Sequence, residues 1–300
     1  MTARFVTPWT WLGAPSGVPG RTCSAAVLGI PFDCGTHPDR IGARLGPASI
    51  REQSRNLRRF DPRSNVDVVE RLGLVDCGDV PVTPSLIEPS FAAIEGALDA
   101  VLGKGVVAVT MGGDGAVTLP QVRALAHRTP GVCIVHIDAH TDAYPIDGYN
   151  TATSFRHIAQ EGLIDVGRSF HIGMRGPTMV PGVYAFCREL GYTMITMREL
   201  RETGFAAAAA RVIETIGERP VYLCFDMDFF DPSAAPGVCT PTWGGAAAHE
   251  GLDFLEMLST LDARVLDVNT VSPPHDSAGM TAFLAATVMW TFLAGLADRT

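Results

Sequence analysis

The sequence has few charged residues and lacks the features of several common protein classes. Charged residues make up 18% of the chain, and the net charge is −9. This balance argues against nucleic acid or an anionic membrane as a partner. No N-terminal segment joins a basic region to a continuous apolar core, as a signal peptide would. No stretch reaches the roughly 20 uninterrupted apolar residues of a membrane span, so we expect a cytoplasmic protein.

The seven cysteines also lack the spacing of a disulfide framework, because no pair forms a CxxC motif. Several lie inside apolar runs, where cysteine behaves as a small buried hydrophobic residue. An odd count without a framework indicates a reducing compartment. The missing thiolate spacing also argues against structural zinc.

The chain does contain enough apolar sequence, 47% of its 300 residues, for a large core. Short apolar runs alternate with amphipathic stretches, which predicts a mostly parallel sheet of about eight strands with helices on both faces. The predicted strands are Ala25–Pro31, Val66–Val75, Val106–Met111, Val132–Ile137, Phe170–Gly173, Thr193–Thr196, Val221–Phe225 and Val265–Val268. The predicted helices are Ser90–Leu102, Leu119–His127, Pro181–Leu190, Glu199–Ile216, His249–Leu261 and Gly279–Ala297.

The domain organisation follows from where Gly, Pro and Trp concentrate. Residues 1–22 contain Trp9, Trp11 and several Gly and Pro residues, which predicts an irregular arm that packs on the body or on a neighbouring subunit. No composition break marks a linker further along the chain. We therefore expect residues 23–300 to form a single domain.

Two acidic clusters directly follow predicted strands. The first contains Asp138, His140 and Asp142, and the second contains Asp226 and Asp228. Alternate residues of a strand point to one face, and ligands bind at the carboxyl ends of parallel strands, so these side chains should converge. Four carboxylates would repel strongly at low dielectric unless cations lay between them. The sequence predicts a divalent metal site, and oxygen ligands with one histidine suit Mn²⁺, with Ni²⁺, Co²⁺ or Mg²⁺ as alternatives.

Several motifs resemble those of the ureohydrolase (arginase/agmatinase) family. They are Gly29-Ile30-Pro31-Phe32-Asp33, Gly42-Ala43-Arg44-Leu45-Gly46-Pro47, Met111-Gly112-Gly113-Asp114, Asp138-Ala139-His140-Thr141-Asp142, Phe225-Asp226-Met227-Asp228, Asp231-Pro232, Ala235-Pro236-Gly237, Gly244-Gly245 with Glu250, and residues 276–286. The resemblance covers about residues 25–297 and implies a three-layer αβα fold, a binuclear manganese site and hydrolysis of a guanidino C–N bond with release of urea. Residues 143–149 lack the Asn-Thr-Pro pattern of arginases, so the chain is more similar to agmatinases and guanidino-acid hydrolases.

The resemblance also implies a role for each residue of the acidic clusters. His140 and Asp228 would bind one ion, Asp142 would bind the other, and Asp138 and Asp226 would bridge the two. Asp228 or a water would also handle a proton during catalysis.

The substrate implied by the resemblance is a small cationic guanidino compound. Glu250 would bind its guanidinium group through paired hydrogen bonds, and Trp243 could stack on the planar cation. We also predict that Asn150 contacts the substrate. The family's assemblies imply a trimer or hexamer, or a hetero-oligomer with a homologous subunit.

Two histidines of the family pattern are missing. Gly115 stands where the Gly-Gly-Asp-His motif has a metal ligand, and Thr151 stands where a proton-carrying histidine is expected. Of the other histidines, we predict a core role for His136 and ordinary surface or core roles for those at positions 37, 157 and 275. The retained ligands favour an active hydrolase with a weakened metal site. The losses favour the alternative of a weak or inactive subunit that partners an active homologue.

Overall fold

Within the residues that the computed structural model describes, 9–34, 37 and 39–300, eight strands form one parallel sheet. The strands are β1 (Ala25–Gly29), β2 (Phe60–Asp61), β3 (Val66–Asp67), β4 (Val75–Asp79), β5 (Val107–Met111), β6 (Cys133–Ile137), β7 (Phe170–Ile172), β8 (Thr193–Ile195), β9 (Pro220–Asp226) and β10 (Asp262–Asn269). The sheet order is β4-β1-β5-β10-β9-β6-β7-β8, and β2 pairs with β3 in a separate antiparallel hairpin.

The helices cover both faces of this sheet. They are α1 (Gly46–Ser54), α2 (Val68–Arg71), α3 (Ile87–Leu102), α4 (Thr118–Arg128), α5 (Ser154–Gln160), α6 (Val183–Glu189), α7 (Met197–Thr203), α8 (Phe205–Ile216), α9 (Ala248–Met257) and α10 (Met280–Ala297). Alternate strand residues face opposite layers: Val109 packs in one core with α8, α9 and α10, and Ala108 packs in the other with α3 and α4. The predicted three-layer αβα fold is therefore confirmed.

Two predicted elements are wrong. The strand predicted at Val66–Val75 is in fact β3, then α2, with β4 beginning at Val75. The carboxylate of Asp67 accepts a hydrogen bond from the backbone of Glu70 at 3.0 Å, which caps α2 and stops the strand. The helix predicted at Glu199–Ile216 is two helices, because Gly204 adopts a φ of 89° between them. Helix α1 was not predicted.

The described part of the N-terminal arm packs on the chain's own body. Trp11 is fully buried, and its backbone N–H donates to Asp76 Oδ2 at 2.8 Å. Trp9 is 46% exposed, and the guanidinium of Arg55 lies 3.9 Å from its ring centre. Residues 1–8 lie outside the described residues, and the division at residue 22 stays a prediction.

The closing helix α10 is 18 residues long with a mean hydropathy of 1.7, so by length and composition alone it could cross a membrane. The sequence prediction of no membrane span did not allow for it. In the structure 56% of this helix is buried, and it packs against α1 and α9. Its apolar character is therefore accounted for by packing inside the fold.

Candidate metal centre

The two acidic clusters meet at the carboxyl ends of β6 and β9, which are neighbours in the sheet. Asp138, Asp142, Asp226 and Asp228 are each at most 5% exposed. All of them except Asp138 line one cavity of about 70 Å³, and so does His140. The structure thus brings together the five residues that the sequence predicted as metal ligands.

A turn, rather than strand alternation, brings the first cluster together. Strand β6 ends at Ile137, and the backbone N–H of His140 bonds back to Asp138 Oδ1 at 2.6 Å. Asp142 adopts a positive φ of 45°, a conformation that non-glycine residues rarely take. The alternation argument is therefore wrong for residues 138–142, although their carboxylates do converge.

His140 lies between carboxylates of the two clusters. Its Nδ1 atom is 3.2 Å from Asp138 Oδ1 and 3.1 Å from Asp228 Oδ2. Its Nε2 atom is 3.2 Å from the hydroxyl of Thr242. On the other side, Asp226 Oδ1 accepts a hydrogen bond from the backbone of Asp228 at 2.8 Å. These contacts hold the ring and the carboxylates in fixed orientations.

Burial dominates the electrostatics of the cluster. It raises the pKa of Asp142, Asp226 and Asp228, and the charge of Asp138 raises all three further. Burial also raises the pKa of Asp138, but the adjacent histidines outweigh it and hold that pKa well below its usual range. Such crowding of buried carboxylates is stable when a divalent cation lies among them, so the donor set fits the predicted metals.

Gly115 and Thr151, the two positions at which the sequence analysis expects a family histidine to be missing, are neighbours beside this cluster. A Cβ atom placed on Gly115 would lie 3.0 Å from Asp142 Oδ2 and 2.9 Å from the γ-methyl group of Thr151. Gly115 therefore borders Asp142, and Thr151 lies against Gly115 and lines the same cavity. Any side chain introduced at position 115 would require Thr151 to shift.

The three residues predicted to contact substrate do not line the cavity. Glu250 Oε2 accepts a hydrogen bond from the backbone of Ala247 at 2.8 Å and so caps the start of α9. Trp243 is 75% exposed and lies on the surface beside Arg201. Asn150 begins a turn, with its backbone N–H bonded to Thr153 Oγ1 at 3.1 Å.

Two buried groups at the site were missed by sequence reasoning. Asp114 lines the cavity and accepts backbone hydrogen bonds from Cys34 at 2.7 Å and Ala116 at 3.2 Å. Burial raises its pKa to about 6, and Asp33 adds to the effect. Its place in the Gly-Gly-Asp motif was the signal that could have identified it.

The second missed group is His136, for which the sequence predicted a core role. It is buried in β6, but its Nε2 atom lies 2.8 Å from Asp138 Oδ2. The His-x-Asp spacing was the available signal. Of the other histidines, His37 lines the cavity, whereas His157 Nε2 lies 3.1 Å from the carbonyl of Gly148.

Comparison with known proteins agrees with this arrangement. The model of the arginase family matches residues 23–295. The chain is 36% identical over 299 residues to the guanidinopropionase of Pseudomonas aeruginosa, covering 98% of this chain and 93% of that protein. It is 36% identical over 267 residues to an agmatinase of Neisseria meningitidis, covering 87% of this chain and 83% of that one.

Among solved structures, that of the proclavaminate amidino hydrolase from Streptomyces clavuligerus superposes with a TM-score of 0.92 at 31% identity. The match covers 100% of both chains. The sequence matches, the shared fold and the clustered carboxylates lead to the same assignment. This chain belongs to the arginase family, in its agmatinase-like branch.

Proposed function

We propose that this protein is a metal-dependent hydrolase that cleaves a C–N bond of a small guanidino compound and releases urea. The observation that carries the proposal is the convergence of Asp142, Asp226 and Asp228 with His140 at one cavity, with the buried Asp138 in contact with His140. By name, the relatives given above are a guanidinopropionase, an agmatinase and an amidino hydrolase, and this chain is a hydrolase that acts on linear guanidino compounds. A cavity lined by carboxylates also suits a planar cation.

The proposed cofactor is two Mn²⁺ ions per subunit, with Ni²⁺ or Co²⁺ as alternatives. His140 and Asp228 would hold one ion, Asp142 the other, and Asp138 and Asp226 would bridge them. When bound, such ions supply Lewis acidity and a nucleophilic water near neutral pH. The hydrogen bond from Asp228 N to Asp226 Oδ1 and the contact of His140 with the Thr242 hydroxyl would keep these ligands oriented.

The chain's own residues would also bind substrate and move its proton. Asp228 is placed to accept a proton, because it lines the cavity and its Oδ2 atom lies 3.1 Å from Nδ1 of His140. We propose that Glu250 binds the guanidinium group, aided by Asn150 and Trp243. Because none of the three lines the cavity, each requires a movement of its loop or helix end to reach the substrate.

Gly115 and Thr151 favour a second candidate function. Gly115 borders Asp142 and Thr151 lines the same cavity, so we propose that the ion at Asp142 is bound more weakly and that a proton carrier is absent. A chain impaired in this way would serve as a weak subunit that assembles with an active homologue. We propose a trimer or hexamer in either case, which analytical ultracentrifugation would measure.

The test is to load the purified chain with Mn²⁺, count the ions by mass spectrometry and assay urea release from agmatine, guanidinobutyrate and guanidinopropionate. Two ions per chain with urea release support the hydrolase. Asp228→Asn should abolish urea release, whereas Asp147→Asn, at an exposed carboxylate, should not. One ion or fewer, with activity only after mixing with a homologue, supports the second candidate. No urea under either condition overturns both.

A further inference from the structure

We propose that His136 is a metal ligand that replaces the nitrogen lost at Gly115. The inference rests on the proposed metal site, and it assigns each of the two ions one histidine. His136 would serve the ion at Asp142, and His140 would serve the ion at Asp228.

Within the described part of the chain, one carboxylate oxygen beside His136 lacks a hydrogen-bond partner. Asp138 Oδ2 is buried, and among the described residues it has no hydrogen-bond partner. The Nε2 atom of His136 is only 2.8 Å away, yet the two atoms are not aligned as a hydrogen bond. Buried carboxylate oxygens are rarely left without a partner in native proteins. This contact therefore points to something else that both atoms bind.

The geometry of the contact between His136 Nε2 and Asp138 Oδ2 also suits a shared ion. Two neighbouring ligands of one octahedral ion, each at about 2.1 Å, lie about 3 Å from each other. An oxygen that shares an ion with a ring nitrogen lies to one side of the nitrogen's lone pair rather than along it. The separation of His136 Nε2 and Asp138 Oδ2, and their poor alignment as a hydrogen bond, both match this arrangement.

The possible ligand atoms form two groups. Atoms of His136, Asp138 and Asp142 all lie within 4.8 Å of one another, and so do atoms of Asp138, His140 and Asp228. The two groups share Asp138, as two ions bridged by one carboxylate would require. Each group then contains one imidazole.

The surroundings of His136 also suit a ligand. Its Nδ1 atom lies 2.7 Å from Nδ1 of His171, a buried ring in β7. Metal-bound histidines usually bond through their second nitrogen to a neighbouring group, which fixes the ring and its tautomer. Gly115 borders Asp142, so the nitrogen is missing at the ion that His136 would serve.

A crystal structure of the Mn²⁺-loaded protein, with the ions located by anomalous scattering, tests the inference without any variant. We expect an ion that contacts Asp142, Asp138 and Nε2 of His136, with a nitrogen–metal bond of about 2.0–2.2 Å. Two ions with His136 Nε2 bonded only to Asp138 would overturn it. So would the lack of an ion at Asp142.

Titration with Mn²⁺, followed by electron paramagnetic resonance, tests the same point in solution. His136→Gln should lower the affinity for the ion at Asp142 at least 10-fold and leave the affinity for the ion at Asp228 within a few-fold of its original value. The reason is that losing a metal ligand costs more affinity than losing a residue that only contacts a ligand. Adding Gly115→His and Thr151→Ala to the His136→Gln variant should restore the affinity for the ion at Asp142. The matched control, His157→Gln, should leave the affinity for both ions unchanged. Circular dichroism would confirm that each variant folds.

The outcomes separate this inference from the proposed hydrolase activity. If His136 only orients the bridging Asp138, its replacement should lower the affinity for both ions equally. In that case the inference fails and the hydrolase proposal stands. If both ions bind as expected but no urea forms, the ligand assignment holds and the proposed activity fails. A wild-type chain that binds no second ion overturns the assignment directly.

Discussion

Asp114→Asn should stabilise the metal-free protein at neutral pH and destabilise it in acid. Asp114 is buried, and burial raises the pKa of its carboxyl group from 3.8 to about 6. Each pH unit is worth about 1.4 kcal/mol, so keeping this group ionised costs roughly 3 kcal/mol of the free energy of unfolding. The stability contributed by the protonated Asp114 is fully present below pH 3.8 and is lost as the pH rises through 6, because the folded state binds this proton more tightly than the unfolded state does.

The variant keeps one acceptor oxygen of the original two. It should therefore still cap the turn at Ala116 or accept from Cys34, but not both, at a cost of about 1 kcal/mol. The net expectation is a gain of about 2 kcal/mol at pH 7.5, almost no difference at pH 4.5 and a loss of about 1 kcal/mol below about pH 3. For 300 residues, an unfolding entropy of about 0.63 kcal/mol/K converts the gain to a rise in Tm of about 3 °C.

Differential scanning calorimetry in chelator at pH 7.5, 6 and 4.5 measures this difference. Asp147→Asn provides a control at an exposed carboxylate and should leave Tm almost unchanged. A lower Tm for Asp114→Asn at pH 7.5 would refute the reasoning. A difference that stays constant across the three pH values would refute it equally, because the effect is attributed to a single titration.

Three further predictions concern stability. Mn²⁺ at 100 times its Kd should raise the free energy of unfolding by about 2.7 kcal/mol per ion, and Asp142→Asn should remove part of that gain; an equal Tm in Mn²⁺ and in chelator would contradict this. Trp11→Ala should cost about 3–5 kcal/mol in urea denaturation because the ring is fully buried, whereas Trp243→Ala should cost under about 0.5 kcal/mol; similar costs would count against the packing described. Arg51→Met should cost about 3–5 kcal/mol, because the buried Asp76 loses the guanidinium 2.8 Å away; a neutral result in the same assay would show that the pair is dispensable.

Much of the fold could be predicted because its strands are continuous apolar runs. The prediction at Val132–Ile137 differs from β6 by one residue, since a strand buried on both faces lacks the regular alternation of polar residues that makes strand ends hard to locate. The prediction at Val66–Val75 failed because apolar residues there alternate with helix-capping and helix-forming ones. Periodicity alone could not separate a short helix from a strand in such a segment.

The convergence of the two acidic clusters could be predicted for a different reason. Parallel strands end at the same edge of a sheet, so residues that follow β6 and β9 are bound to be close. Trp243 and Glu250 lie on a connecting loop and a helix start, whose positions depend on tertiary contacts that the sequence does not display. The core position predicted for His136 is confirmed by its burial, but its contact with Asp138 was not predicted, because a histidine inside an apolar strand is ordinarily a core residue.

The position of β9 has a consequence for how the protein matures. This strand lies between β10, which follows it in the chain, and β6, which precedes it by more than eighty residues. The carboxylates of Asp138 and Asp226 therefore face each other only after β9 has been synthesised and paired with β6. A nascent chain that ends before Asp226 contains only two of the four clustered carboxylates, so binding of the proposed ions should be a late step of biogenesis.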